Sequence, residues 1–184
     1  MIKMEFRLTI FNKRILFRLS ARDIRKKDVA GYTNRCSDGK YIVMMDYDAM
    51  EYEWVYKELK FIQNEFNLGA FHIFQNSENS YHAICVDKVN IRKYLDILRS
   101  SSVDPNYINI PFNYGKKLWT LRVTSKNNNK PSYKGLIKGD NKVRAEVSTP
   151  HIKLLQLIFG VSDFDMRNRT EDMQDDLILA KYKI

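Results

Sequence analysis

Cysteine is almost missing from this chain. Cys36 and Cys85 are the only two, and with three histidines they are too few, and wrongly spaced, for the Cys/His set of a zinc knuckle. Both are read as reduced, Cys85 as a core residue. Long apolar runs are missing too. The longest, "LLQLIFGV", is broken by Gln156 and is far short of a membrane span. The first residues, "MIKMEFRLTIFNKR", carry a charge every few positions, unlike the apolar block of a secretion signal. A soluble, intracellular protein with no membrane partner is expected. Nor is there an internal repeat or a low-complexity linker, apart from "SKNNNKPSYKG" at 125–135, which reads as an exposed loop.

What is present is enough for one core. The chain has 184 residues, 44% of them hydrophobic and 12% aromatic, so a single domain spanning 1–184 is the expectation. Its formal charge of +9 favours polyanionic partners such as nucleic acid or nucleotides. The charge is uneven. Residues 1–40 hold eleven Lys or Arg against four acids, residues 115–144 nine against one, and residues 163–176 two against six.

Periodicity gives an order of elements. "MEFRLTIF" and "ILFRLS" flank "NKR" as a hairpin, followed by a basic, turn-rich stretch to Lys40. "KYIVMMD" reads as a buried strand. "AMEYEWVYKELKFIQNEF" reads as a helix with apolar positions at Met50, Trp54, Tyr56, Leu59, Ile62 and Phe66. "GAFHIFQ" and "SYHAICV" are strands joined by the turn "NSEN", "NIRKYLDILRS" is a helix, and "KLWTLRVT" a strand. The order β-α-β-β-α-β over 41–126 predicts an α+β, ferredoxin/RRM-like core. In that arrangement the first and third strands are neighbours, which brings Asp46 beside His82, and the fourth strand lies beside the first. One sheet face is left for a site or for the N-terminal hairpin. Residues 127–184 then read as a basic loop, an amphipathic helix over "STPHIKLLQLIFG" and an acidic end that frays.

Several residues in this layout can carry chemistry. Asp46 and Asp48, two apart on a strand, share a face, and two carboxylates so close need a shared proton or cation. Mg²⁺ or Mn²⁺ suits such oxygen ligands. The plainer alternative makes Asp48 a helix cap and leaves Asp46 solvated. Ser80 and His82 are likewise two apart. His72 is read as structural. Two histidines in "FHIF" and "YHAI" do not make a two-histidine phosphoesterase, because the Thr or Ser two positions on is absent. Asp104 is a third acid, or simply an Asp-Pro turn. Arg122, Ser125 and Lys126, at the end of the last strand, suit a triphosphate. Lys116, Lys117, Lys130 and Lys134 suit a nucleic-acid backbone or a solvated surface. Trp119, Tyr114 and Tyr133 are core or loop residues first and base-stacking platforms second.

The series "VMMDYD", "SYH" and "VD", followed by "LRVTSK", resembles the motifs of the archaeo-eukaryotic primase superfamily, and most nearly its primase-polymerase branch, over residues 40 to 135. The resemblance implies a palm-type catalytic core joining nucleotides on a single-stranded or primed DNA template. It implies that Asp46, Asp48 and Asp104 hold two Mg²⁺ or Mn²⁺ ions. Ser80 and His82 then meet the incoming nucleoside triphosphate, and Arg122 and Lys126 its phosphates. A replication helicase or other replisome protein is the implied partner, in a plasmid or viral setting. Two rivals stand beside this reading: a non-catalytic RRM-like nucleic-acid binder, and another palm-type phosphoryl-transfer enzyme such as a nuclease or cyclase.

Overall fold

Alternating apolar and polar residues near the start form the expected hairpin: strand β1 (Ile2–Ile10) pairs antiparallel with β2 (Lys13–Ala21), Ile2 opposite Ala21 and Ile10 opposite Lys13. In the computed structural model the described residues are 2–10, 13–21, 28–113, 115–125, 129–172 and 179–183, with side chains described for 31–109, 111–113, 115–125 and 129–171.

The architecture is α+β. The apolar run before the two aspartates becomes β4 (Tyr41–Asp48), buried from Tyr41 to Met45. It pairs antiparallel with β6 (Ser80–Val89), which pairs on its other side with β5 (Phe71–Ser77). These three strands follow the order expected for the first, third and second strands of the core. Between β4 and β5 runs helix α1 (Tyr52–Glu65), which buries Val55, Leu59, Ile62 and Gln63. Leu59 and Ile62 are buried as expected, and Met50 and Phe66 at the two ends pack partly buried on the core. Trp54 and Tyr56 face solvent, Trp54 being 58% exposed, because Val55 is the position that continues the i, i+4, i+7 row through Leu59 and Ile62. Each fully buried aliphatic in that row contributes about 1.5–3 kcal/mol of burial free energy.

Helix α2 (Ile91–Arg99) follows β6, its first turn capped by Asn90, whose side chain accepts from the Lys93 amide at 2.8 Å. The expected Asp-Pro turn is instead the start of a further helix, α3 (Pro105–Asn113), with proline at its first position. The strand read at "KLWTLRVT" is only β7 (Thr120–Arg122). It does not pair with β4. It pairs with β3 (Asp28–Thr33), a strand inside the stretch read as loop, and β3 pairs in turn with β11 (Leu179–Lys183), where a frayed end was expected. Gly31 permits the β3–β7 approach, since a Cβ there would lie 2.6 Å from the Leu121 carbonyl oxygen.

β4 has no strand on its outer edge because other groups already occupy it. The Ile42 amide donates to the Asn34 carbonyl at 2.9 Å. The Met44 carbonyl accepts from the hydroxyls of Tyr94 at 2.7 Å and Tyr107 at 3.2 Å, and the Asp46 carbonyl accepts from the Asp104 amide at 2.9 Å. Every second residue of the strand is thus satisfied from α2, α3 and the loops beside them.

The rest extends the sheet. Part of the segment read as an exposed loop is β8 (Ser132–Ile137), which adds to the free edge of β5. β9 (Ala145–Ser148), α4 (Thr149–Phe159) and β10 (Arg169–Asp172) form a parallel βαβ unit, joined to β6 through the pair Asp87–Val147. α4 matches the expected amphipathic helix and ends at Gly160, whose φ of 66° is the left-handed conformation of a helix terminator. Among the described residues no helix is long and apolar enough to cross a membrane.

Candidate active site

Strand alternation decides which side chains meet. Along β4, Met45 and Tyr47 point toward α1, where the Tyr47 hydroxyl donates to Glu58 at 3.0 Å; Asp46 and Asp48 therefore point to the opposite face. On that face Asp46 lies directly opposite His82, and Asp48 directly opposite Ser80. Phe74 of β5 is opposite His82 from the other side. It packs on Phe159 of α4 with ring centroids 4.4 Å apart, and its neighbour His72 packs on Phe164 at 4.8 Å. The face expected to stay uncovered is thus roofed over its β5 side. What remains open is a cleft at the β4–β6 end.

That cleft has a volume of about 290 Å³. Asp46, Asp48, Ser80, His82 and Arg122 line it, together with Asn76, Ser77, Thr120 and Asn129. The Ser80 hydroxyl donates to Asp48 at 2.7 Å, and the His82 Nε2 stands 3.4 Å from an Asp46 carboxylate oxygen. Burial, and secondarily the positive charge of Arg122, push the His82 pKa down to about 3, so the imidazole is neutral at physiological pH and meets Asp46 as a dipole. Arg122 is brought in by β7. Burial lowers its pKa while Asp46 and Asp48 oppose that shift, and a guanidinium stays charged throughout.

Two orphaned atoms stand out. Arg122 Nη1 and Asn76 Oδ1 are both buried without a hydrogen-bond partner among the described residues. Such groups cost about 1–3 kcal/mol each, more when charged, unless something supplies the missing partner. With two carboxylates, one guanidinium and a neutral imidazole, the cleft carries a net charge of −1. One hard divalent ion on the Asp46–Asp48 pair would reverse that sign, and carboxylate and hydroxyl oxygens are the donors such ions take. The donor set fits one such ion.

The third acid stands apart. Asp104 is placed next to Asp46 through the main chain, but its carboxylate accepts from the Asn106 amide at 3.0 Å and side-chain nitrogen at 3.2 Å, capping α3, and it is not among the residues lining the cleft. Among the described residues no group of three or more His, Cys, Asp or Glu side chains is gathered to hold a metal. Ser125 is exposed outside the lining, and Lys126 and Tyr114 lie outside the described residues. Lys116, Lys117 and Lys130 are exposed and also outside it. Lys134 lies over the Tyr52 ring at 5.7 Å, on the α1 side of the sheet. Trp119 is fully buried against Tyr94 and serves the core, whereas Tyr133 is exposed, with its ring against Phe74 and His72. His72 is buried, as expected. Asn76, Ser77, Thr120 and Asn129 escaped the sequence reading. Thr120 was within reach, being two residues before Arg122 on one strand, whereas "NS" in a hairpin turn gives no sign of burial.

Compared with known proteins, the chain matches no family model, no curated protein and no solved structure.

Proposed function

We propose that this chain is a metal-dependent nucleotidyltransferase of the primase-polymerase type, with β4, β6 and β5 as a palm-like sheet. The observation that carries the proposal is the Arg122 guanidinium lining one open cleft together with the two carboxylates of Asp46 and Asp48. A guanidinium on the wall of such a cleft is suited to an anionic ligand, and the carboxylates forbid a bare anion unless a metal accompanies it. Nucleoside triphosphates enter as a metal complex and meet both demands.

In this reading Asp46 and Asp48 hold Mg²⁺ or Mn²⁺, which when bound supplies positive charge at the reacting phosphates. Arg122 binds a phosphate oxygen. Ser80 orients Asp48 and the neutral His82 orients Asp46, each across a single strand pair. The single-stranded or primed DNA template runs outside the cleft over Lys116, Lys117 and Lys130, which are exposed. The RRM-like binder fares less well on the same face, since a carboxylate pair repels phosphate and, among the described residues, no Phe, Tyr or Trp lines the cleft for stacking.

Extension of a labelled primer on single-stranded DNA, with nucleoside triphosphates and Mn²⁺ or Mg²⁺, tests the proposal. The wild type is expected to extend it. Asp46→Asn with Asp48→Asn should abolish extension while the thermal melt is retained, and Arg122→Ala should slow it about 10²–10³-fold. Undiminished synthesis by the double variant would overturn the assignment. Tight DNA binding with no incorporation under either metal would favour the non-catalytic binder.

A further inference from the structure

Among the described residues the exposed aromatic side chains are Trp54, Tyr56, Phe61, Phe112 and Tyr133. A ring on the surface is ordinary by itself, so its neighbours decide whether it serves a ligand. The first three stand on α1, on the sheet face away from the cleft, where Lys57 and Lys60 are offset by Glu53, Glu58 and Glu65. Tyr133 lies against Phe74 and His72. Phe112 differs from all of them. It is 46% exposed near the end of α3, and residues 105–119 hold two lysines and no acid. The turn after α3 fixes ring and lysines relative to one another. The Gly115 amide donates to the Phe112 carbonyl at 2.9 Å and the Lys116 amide to the Pro111 carbonyl at 2.7 Å, with Gly115 in the left-handed conformation at a φ of 65°. The Lys117 carbonyl accepts from the Tyr41 hydroxyl at 3.0 Å, and Phe112 is braced edge-on against the buried Trp119, ring centroids 5.6 Å apart. Both ends of this segment lead to the cleft. At one, the Asp104 amide holds the Asp46 carbonyl, and the helical rise sets Phe112 about 12 Å further on. At the other, Trp119 is followed by Thr120 and Arg122 of the cleft wall.

Resting on the template path proposed above, we infer that Phe112 is a base-stacking platform for the single strand, its ring taking the face of one base while Lys116 and Lys117 hold the flanking phosphates. The ring supplies what the lysines cannot. An ammonium meets any phosphate of the strand as a point charge, whereas a base seated on a braced ring fixes which nucleotide stands beside the cleft. The cleft wall has no such ring of its own among the described residues. Phe112 is indifferent to which base it takes, because every base has a π-face.

Fluorescence anisotropy of the full chain tests this with two labelled probes, oligothymidylate and an abasic strand of the same length, which carry the same phosphates. The wild type is expected to bind oligothymidylate about tenfold more tightly than the abasic strand, the gain from one stacked base. Phe112→Ala should erase that difference and leave the abasic strand bound as before, and Phe112→Trp should keep it. Phe112→Leu retains an apolar contact on Trp119 and should lose most of the preference with an unchanged thermal melt, which separates stacking from folding. Lys116→Ala with Lys117→Ala should weaken both strands and flatten the salt dependence. Equal binding of the two strands by the wild type overturns the inference and leaves the template path in place; a preference undiminished in Phe112→Ala overturns it too. If the wild type binds neither strand, inference and template path fall together. A base preference that depends on Phe112, in a protein that extends no primer under either metal, supports the platform and removes the nucleotidyltransferase reading.

Discussion

Asp104 is claimed by two roles. As a cap it satisfies the first turn of α3 through the Asn106 amide; as a metal ligand it would have to turn its carboxylate toward Asp46, whose carbonyl its own amide already holds. The two roles separate by substitution. Asp104→Ser keeps a capping oxygen and should extend primers within about twofold of wild type, whereas Asp104→Ala should cost about 1 kcal/mol of stability by chemical denaturation. A thousandfold loss of activity in the serine variant would restore the third-ligand role. His72 poses the opposite case, a polar ring with no polar partner. Both its nitrogens are buried without partners among the described residues, and burial pushes its pKa down to about 4. His72→Phe, of similar shape and seated against Phe164 and Tyr133, should raise stability by about 1 kcal/mol, read as a higher Tm. A lower Tm would mean that a partner for the ring exists.

Among the elements, β6 is the shared member: β4 pairs with it from end to end, β5 pairs with its first half, and beyond that Asp87 reaches the βαβ unit. The Asp87 carboxylate accepts from the Gly69 amide at 2.8 Å and from Arg169 at 2.7 Å, with both charged side chains almost wholly buried. Burial raises the Asp87 pKa, and Arg169 and the Gly69 amide pull it back. Arg169→Met leaves that carboxylate buried and short of its cation, so a loss of about 3–5 kcal/mol is expected in urea denaturation, with the start of β10 loosened first in hydrogen exchange. The elements built from strong local patterns were legible in the sequence. β4 showed in its apolar run, the β5–β6 hairpin in its turn, α2 and α4 in their period, and the meeting of Asp46 with His82 followed from strand order. The short strands were not. "AEVS" and "RTED" carry little apolar signal, and they form because distant edges of the sheet offer them partners. β7 went to β3 for a similar reason, the outer edge of β4 having been taken by tyrosine hydroxyls that no local pattern announces.

For the whole molecule, the buried imidazoles of His72 and His82 set a response to acid. His72 and His82 titrate near 4 and 3 in the fold but near 6.5 in an unfolded chain, so below about pH 6.5 the unfolded state takes up protons that the folded state refuses. Stability is therefore complete above that pH and declines as pH falls, by up to about 1.4 kcal/mol per pH unit for each ring. Urea midpoints between about pH 7 and about pH 5 should drop accordingly, and His72→Phe should make the slope shallower. A flat profile would show that the rings are protonated in place. The sealed margin of β4 has its own bearing on how this protein can meet a polymer. A sheet whose rim is already hydrogen-bonded cannot recruit a foreign strand by backbone zippering there, so neither a second chain nor a peptide can lengthen it on that side. Any chain that would lengthen this sheet has to come to another margin, such as the one where β8 is the last strand.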